Sequence, residues 1–324
     1  QCVDICPTKA VNLSATTTER DLNVGAVILA VGYQPFDPTP MQEFGFGRFP
    51  NVITSMQYER LASRSGPTEG FVVRPSDGKP PKRIAWLQCI GSRDQKYPYC
   101  SAICCMYATK EAMLARQRLP DAQAHIFTMD ERAFNKEYNA YYMQARDQFD
   151  VQYTRCRISE IKQDPLTREL ILRYPAGRKH GEAAPGQGAL VEERYDMVVL
   201  AVGVQPPEQS AALARILGIE LNEYGFCQTE KFTPLQTSRP GVFVCGAFAS
   251  PKEISETIID ASGAAAEAMR LMREKLGGAP FSREYPFSNG HAMIPERAVT
   301  NEPLRAGVFV CECGGSISDT VAVL

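Results

Sequence analysis

The sequence predicts an α/β protein with mainly parallel sheets. Short apolar runs that end at glycine or proline recur along the chain, and such runs are typical of buried parallel strands that emerge into turns. One pattern is repeated: residues 25–35 and 196–206 share an apolar run, then Ala-Val-Gly, one variable residue, Gln and Pro. Segments with helical composition alternate with the apolar runs. Strands that alternate with helices favour parallel sheets covered by helices.

The elements follow in chain order. After the first repeated run comes a Pro/Gly-rich loop at 75–81, and then a strand at Arg83–Leu87. A helix rich in Ala, Met, Leu, Lys and Glu begins at Cys104 and ends at Leu119, because Pro120 stops it. The remaining predicted elements are a strand at His125–Met129, a helix at Tyr138–Phe149, strands within 151–174 that turn near Asp164, the second repeated run, a strand at Val242–Gly246 and an alanine-rich helix over Pro251–Lys275.

Length and composition narrow the class of protein. A chain of 324 residues predicts about two domains. It is 44% hydrophobic with a net charge of −2, which suits a soluble globular protein and disfavours a nucleic-acid binder. No apolar stretch approaches the roughly 18 residues of a membrane span, and no signal peptide precedes the first strand, so we expect a cytoplasmic protein. The eleven cysteines are clustered and odd in number, which indicates metal or redox use rather than a disulfide framework.

Four central cysteines form the most informative motif. Cys89, Cys100, Cys104 and Cys105 have the spacing C-x10-C-x3-C-C. The first follows a predicted strand and the other three surround the start of a helix, whose N-terminus favours thiolates and an anionic cluster. Four converging thiolates are what an iron–sulfur cluster requires. Inert buried cysteines are the second possibility, and zinc is the third because adjacent cysteines are unusual in zinc sites.

Partial motifs at both ends predict that the chain is truncated there. Cys2 and Cys6, followed by Pro7, match the C-x3-C-P end of a bacterial ferredoxin run, whose earlier cysteines would lie upstream of Gln1. Cys2 would then bind one cluster and Cys6 the neighbouring one. At the other end, residues 307–315 open a strand and turn that contain Cys311 and Cys313, before the chain stops at 324.

The sequence argues against a nicotinamide-binding loop but contains a possible flavin-binding segment. No strand is followed by G-x-G-x-x-G, and Cys89-Ile90-Gly91 stands where a nicotinamide-binding loop would follow the strand at 83–87. The best flavin signal is the segment 241–265, where a strand ends in small residues and a helix starts near Pro251. That helix would aim its N–H groups at an anionic ligand, with Lys252 nearby. Ordinary α/β packing explains this segment about equally well. We predict no catalytic acid or base.

These residues resemble the A subunit of heterodisulfide reductase and the related Qmo-type subunits. The resemblance covers nearly the whole chain and is carried by the ferredoxin end at 1–7, GAVILAVGYQPFDP at 25–38, and the long segment 65–94. It continues through YCSAICCMYATK at 99–110, the second Ala-Val-Gly segment, and GVFVCGAFASPKEISETI from residue 241.

The resemblance implies a thioredoxin-reductase-like, two-domain FAD/NAD(P)-type fold with a remnant of a ferredoxin module. It implies a [4Fe–4S] cluster on the four central cysteines, and FAD contacts at Gly32, Gly246, Ala247, Pro251 and Lys252. The expected organisation is a ferredoxin end at 1–14, FAD-domain segments at 15–80 and 206–276, a central NAD-domain-like region with the cluster at 81–205, a linker at 277–305 and a further module from 306 to 324.

The function that the resemblance implies is electron transfer between FAD and iron–sulfur clusters, with electron pairs that could be split between two partners. The implied partners are the other subunits of a heterodisulfide-reductase-like complex, a hydrogenase or formate dehydrogenase, or quinone-linked modules. The chain could also form a homodimer within such a complex. An NAD(P)H-dependent FAD disulfide reductase is the first rival, although the sequence lacks C-x-x-C. A scaffold whose cysteines bind zinc or nothing is the second.

Overall fold

The computed structural model describes residues 2–175 and 190–275, all within the unit formed by residues 1–279. It confirms the α/β class. The helices are α1 (Cys2–Ile5), α2 (Ser55–Ala62), α3 (Cys104–Arg118), α4 (Tyr138–Asp147), α5 (Ser210–Leu217) and α6 (Ile254–Lys275), with 3-10 turns at Gln42–Phe44 and Gly246–Phe248. The strands are β1 (Val27–Leu29), β2 (Gln34–Pro35), β3 (Val52–Thr54), β4 (Arg83–Ile90), β5 (Gln123–Thr128), β6 (Gln152–Arg155), β7 (Ile161–Gln163), β8 (Leu170–Pro175), β9 (Leu190–Tyr195), β10 (Met197–Val202), β11 (Val204–Gln205) and β12 (Val242–Val244).

A five-stranded parallel sheet organises the molecule. Its order is β3-β10-β4-β5-β6, and β4 and β10 are its most buried strands. Helices α2, α3 and α4 cover one face, where Trp86 is fully buried against Tyr58. The chain steps outward from β4 through β5 to β6 and then returns to β10 on the other side of β4. Parallel sheets bind ligands at such a switch point, beyond the carboxyl ends of the strands.

The second face of this sheet packs against three antiparallel strands, β7-β8-β9. The turn predicted near Asp164 joins β7 to β8, and its carboxylate accepts the N–H groups of Leu166 and Thr167. The sequence analysis predicted strands here without their antiparallel pairing. Side chains such as Leu170 and Leu172 fill the space between the two sheets, and both are fully buried.

The two copies of the repeated pattern meet in space. The first copy contains β1, which pairs with β12 in a separate parallel pair packed on α6, and the second contains β10. Their Gln-Pro ends form the antiparallel pair β2–β11, with Gln34 opposite Gln205. This junction holds the ends of β1 and β10 side by side.

One feature differs from the expected organisation. Strand β3 and helix α2 were placed in the first FAD-domain segment, up to residue 80, but they belong to the central sheet and its helical layer. The linker expected at 277–305 and the further module expected at 306–324 lie outside the described residues. Among the helices that the structure describes, none is long and apolar enough to cross a membrane.

A polar network lies between the two sheets. The ring nitrogens of His125 hydrogen-bond the Tyr195 hydroxyl at 2.7 Å and the Thr154 hydroxyl at 2.8 Å. Glu193 accepts hydrogen bonds from Tyr195, at 2.5 Å, and from Arg83, at 3.1 Å. Hydrogen bonding to His125, with further help from Tyr195 and Arg83, lowers the pKa of Glu193 from 4.5 to about 2. The network therefore requires a charged Glu193.

We expect Glu193→Gln to lower the free energy of unfolding by about 2 kcal/mol at neutral pH, because a charged hydrogen-bond acceptor is lost. A lowered pKa in the folded state adds stability that is complete above the ordinary value and is lost as the pH falls toward the folded value. The difference between wild type and variant should therefore shrink below pH 4.5 and fade toward about pH 2. Urea unfolding at several pH values measures it.

The matched control is Glu192→Gln, the adjacent residue on the other face of β9. Its side chain is 45% exposed and pairs with Arg173 at 2.9 Å. A surface pair of this kind contributes little to stability, because solvent and salt screen it. A Glu193→Gln effect that stays constant down to pH 3, or that equals the control, would contradict the assignment.

Candidate functional site

A β-bulge sets the position of Cys89. Leu87 pairs with Leu200 and Ile90 with Val202, so β4 has one more residue than β10 between these two pairs. The φ angle of Cys89 is +61°, a left-handed conformation that costs a non-glycine residue about 1–2 kcal/mol. Ala85, Leu87 and Ile90 all point into the core between the two sheets. The extra residue turns Cys89 away from that core, as bulges do next to functional sites.

Cys89 faces the start of α3. The Cys104 thiol forms hydrogen bonds with the thiols of both Cys89 and Cys105, and all three residues are buried. No side chain caps the N-terminus of α3, and its first turn contains no acidic residue. The sequence predicted this helix almost to its last residue, and it predicted that two of the cysteines lie in its first turn. The bulge in β4 brings the third to them.

Charge around these sulfurs favours thiolates. The hydrogen bond from Cys104, with additional help from Arg93, lowers the pKa of Cys89 to about 7. The same donor, with the backbone N–H of Arg132 at 3.4 Å, lowers the pKa of Cys105. The pKa of Cys104 is raised well above its ordinary value because its thiol lies between the other two. The thiolate form is therefore favoured at Cys89 and Cys105 relative to Cys104.

Arg93 is held in place next to the cysteines. Asp130 binds its guanidinium through two hydrogen bonds of 2.5 and 2.9 Å. This pairing raises the pKa of Arg93, and negative charge on Cys89 or Cys100 raises it further. Arg93 and Ala102 also adopt left-handed φ angles, of +57° and +63°. Backbone strain of this kind concentrates at functional sites.

Cys100 completes the predicted set but is oriented differently. Its Sγ accepts the backbone N–H of Ala102 at 3.4 Å within the loop before α3. Across residues 2–175 and 190–275, no three or more His, Cys, Asp or Glu side chains form a group that could hold a metal ion. The chemistry of the donor set fits an anionic cluster: cysteine sulfurs, backbone N–H donors and a fixed guanidinium. The assignment to the four cysteines stays a prediction.

The ferredoxin-type pair lies at the other end of the described chain. Cys6 follows the short helix α1, and its Sγ is 3.5 Å from the Thr8 hydroxyl. This hydrogen bond lowers the pKa of Cys6 to about 7. The side chain of Cys2 lies outside what the structure describes. The role of both cysteines stays a prediction.

A cavity of about 620 Å³ lies beside the cysteines, at the meeting point of the two repeats. Its walls are mostly apolar and include Met56, Ile103 and Ile258. Of the five residues predicted to contact FAD, four line it, and Pro251 does not; the four are Gly32, Gly246, Ala247 and Lys252. The volume and lining are typical of cofactor sites.

Two glycines shape this cavity. Gly32 has a φ angle of +73°, and a Cβ there would have no heavy atom within 4 Å. Gly246 has a φ angle of +68°, and a Cβ there would lie 3.1 Å from Thr257. Both positions therefore favour glycine, and Gly32 leaves space for a ligand next to the backbone. A flat ring system fits this arrangement.

The start of α6 differs from its predicted role. The helix begins at Ile254, and the backbone N–H of the preceding Glu253 donates to the Glu256 carboxylate at 3.1 Å. The Glu253 carboxylate in turn accepts backbone hydrogen bonds from Ser255 and Glu256. Carboxylates of the protein thus occupy the N–H groups that were expected to face an anionic ligand.

Lys252 is also engaged within the protein. It forms an ion pair with Asp260, which also accepts the backbone N–H of Gly246 at 3.2 Å. Both side chains of the pair are less than one-fifth exposed. Lys252 therefore lies in the cavity wall, with its charge balanced by a partner that the sequence analysis did not identify.

Sequence reasoning missed most of the cavity wall, including Ser55, Tyr107, Glu111 and Cys245. Cys245 is buried and also borders the cavity. Tyr107 and Glu111 follow Cys104 by three and seven residues, so the helical period places them on its face. This helical spacing is the feature of the sequence that could have identified Tyr107 and Glu111.

The cavity and the cysteines share a wall. Ile103 and Tyr107 line the cavity; Ile103 directly precedes α3, and Tyr107 lies in its first turn with Cys104 and Cys105. The Tyr107 hydroxyl donates to the carbonyl of Val202 at 2.6 Å, which ties this turn to the end of β10. A group bound in the cavity would lie next to the cysteine site.

Comparisons with known proteins identify the family of this chain. The family described as pyridine nucleotide-disulphide oxidoreductase matches residues 104–268. The iron-sulfur A subunit of a CoB–CoM heterodisulfide reductase from Methanopyrus kandleri is 45% identical over 76% of this chain and 37% of the relative. The A subunit of an H2:CoB-CoM heterodisulfide,ferredoxin reductase from Methanothermobacter thermautotrophicus is 39% identical over 96% of this chain and 44% of the relative.

The chain thus spans less than half the length of these curated relatives. Among solved structures, T. acidophilum thioredoxin reductase matches 76% of this chain and 65% of its own, with 16% identity and a TM-score of 0.46.

Proposed function

Since this chain belongs to the pyridine nucleotide-disulphide oxidoreductase family, and within it to the family of heterodisulfide reductase A subunits, we propose that it is an iron–sulfur flavoprotein electron-transfer subunit. The observation that carries the proposal is the shared wall between the cavity and the cysteine site. The reaction class is oxidation–reduction, in a heterodisulfide-reductase-like complex.

The proposed cofactors are FAD in the cavity and a [4Fe–4S] cluster on Cys89, Cys100, Cys104 and Cys105. Bound flavin would supply the conversion between two-electron and one-electron transfer. Gly32 and Gly246 would admit the ring system, and the apolar wall would exclude water from it. Ile103 and Tyr107 would separate the two cofactors by the thickness of single side chains.

The protein's part in this chemistry is to hold charge and fix positions. Arg93, fixed by Asp130, would balance negative charge on the cluster sulfurs, and the backbone N–H of Arg132 would stabilise Cys105. Such hydrogen bonds and charges set the potential of a cluster. Cys2 and Cys6 would belong to ferredoxin-type clusters that the chain shares with residues upstream of Gln1.

The proposed partners are the other subunits of a heterodisulfide-reductase-like complex, with a hydrogenase, a formate dehydrogenase or a quinone-linked module as the source or destination of electrons. A cytoplasmic location and splitting of electron pairs belong to the same proposal. The first rival, an NAD(P)H-dependent disulfide reductase, lacks support at β4, because a cysteine bulge occupies the place of a glycine-rich loop.

The test is purification of the full-length protein without oxygen, followed by assays of iron, zinc and flavin and by visible and EPR spectra. We expect bound FAD together with iron and sulfide in amounts that exceed those of the ferredoxin-type clusters. Zinc in place of iron would contradict the proposal. Rapid bleaching of the flavin by NADPH alone would favour the rival reductase.

A further inference from the structure

Glu111 is a fully buried acid in the wall of the cavity. It lies on α3, one turn after Tyr107. The indole N–H of Trp86 donates to its Oε2 at 2.9 Å. Its other oxygen, Oε1, is buried and has no hydrogen-bond partner among the described residues. A buried polar atom left without a partner is costly, so its retention calls for an explanation.

The surroundings of Glu111 favour its neutral form. Burial raises the pKa of this carboxyl well above its ordinary value, and the nearby charge of Glu59 acts in the same direction. The hydrogen bond from Trp86 and the charge of Lys110 lower this pKa, and the Lys110 ammonium is itself paired with Glu59 at 2.6 Å. The groups that face Glu111 come from three elements: Ser55, Tyr58 and Glu59 from α2, Tyr107 and Lys110 from α3, and Trp86 from β4.

The neighbouring hydroxyl groups donate their own protons to backbone carbonyls. The Tyr107 hydroxyl donates to Val202 O at 2.6 Å, and the Ser55 hydroxyl donates to Leu200 O at 3.4 Å. Hydrogen bonding to Ser55 also lowers the pKa of Glu111, but Oε1 has no partner among the described residues. A neutral carboxylic acid carries one O–H donor. Because Glu111 belongs to the largely apolar wall of the cavity, an occupant of the cavity could supply the acceptor for that donor.

We propose that Glu111 is a hydrogen-bond donor to the cavity's occupant, where it contacts a carbonyl oxygen or ring nitrogen of the flavin. The inference rests on the proposed function for the identity of that occupant. Flavin rings present several acceptors along one edge, whereas the rest of this wall is largely apolar. A single donor at a fixed position would orient the ring relative to α3 and alter its electronic properties.

The experiment compares full-length wild type with Glu111→Leu and Glu111→Gln, all purified without oxygen. Leucine removes the donor, and glutamine keeps a neutral donor of similar shape. We expect the leucine variant to bind FAD about tenfold more weakly and to shift the flavin absorption spectrum and midpoint potential, because one neutral hydrogen bond is lost. The glutamine variant should bind FAD within about twofold of wild type. Iron content, which reports the neighbouring cysteine site, should stay unchanged in both.

A leucine variant with wild-type FAD affinity, spectrum and potential would overturn the inference and leave the proposed function intact. Wild-type protein that contains no flavin would instead reject the proposed function. If the leucine variant does not fold, infrared difference spectra decide the question. Addition of FAD to wild-type apoprotein should shift the carbonyl band of a protonated carboxyl, and this band should be absent from Glu111→Gln. Identical difference spectra for the two proteins would overturn the inference.

Discussion

Cys104→Ala is expected to lose the iron of one cluster while the protein keeps its flavin. Cys104 is buried between Cys89 and Cys105 and hydrogen-bonds both thiols, so its removal takes away the central sulfur of the site. A [4Fe–4S] cluster needs its four cysteine ligands. Full-length variant protein should therefore contain about four fewer iron atoms per chain and lose one EPR signal.

The matched control for this variant is Cys227→Ala. Cys227 is also buried, at 1% exposure, but it packs in the separate core beneath α5 and β12. Replacing it should cost some stability, because a small core side chain is shortened, with no loss of iron. Equal iron content in wild type, control and Cys104→Ala would refute the ligand assignment. Loss of iron from both variants would indicate general destabilisation.

Gly91→Ala is expected to destabilise the protein strongly. Gly91 follows the bulge in β4 and has a φ angle of +69°, and a Cβ there would lie 2.2 Å from the ring of Phe36. The left-handed conformation costs an alanine about 1–2 kcal/mol, and overpacking typically adds about 1–3 kcal/mol. We expect the free energy of unfolding to fall by about 3 kcal/mol, measured by urea unfolding of full-length protein.

Gly78→Ala provides the control, because it shares the backbone conformation of Gly91 but lacks the close contact. Gly78 has a φ angle of +70°, yet a Cβ there would have no heavy atom within 4 Å. It should therefore show the conformational cost alone, about 1 kcal/mol. Because Gly91 lies two residues after Cys89, its variant should also bind less iron than the control. Equal losses of stability in the two variants would contradict the predicted steric clash.

The sequence by itself determined the local elements and the chemical types at the site. Helical composition and Pro120 defined α3, which the structure places at Cys104–Arg118. The apolar runs predicted β1, β4, β10 and β12. The cysteine motifs, through the family resemblance, identified the family that the relatives confirm. Such features depend on residues that are near one another in the chain, so a single sequence contains them.

Only the tertiary structure decided how these pieces meet. The bulge that turns Cys89 toward α3 depends on the register between β4 and β10, which are more than a hundred residues apart. The pairing of Lys252 with Asp260 and the unpartnered oxygen of Glu111 likewise depend on how the elements pack. Register, burial and partner choice come from contacts between distant segments. A local pattern therefore reveals which groups are available, and packing determines which of them face the cavity.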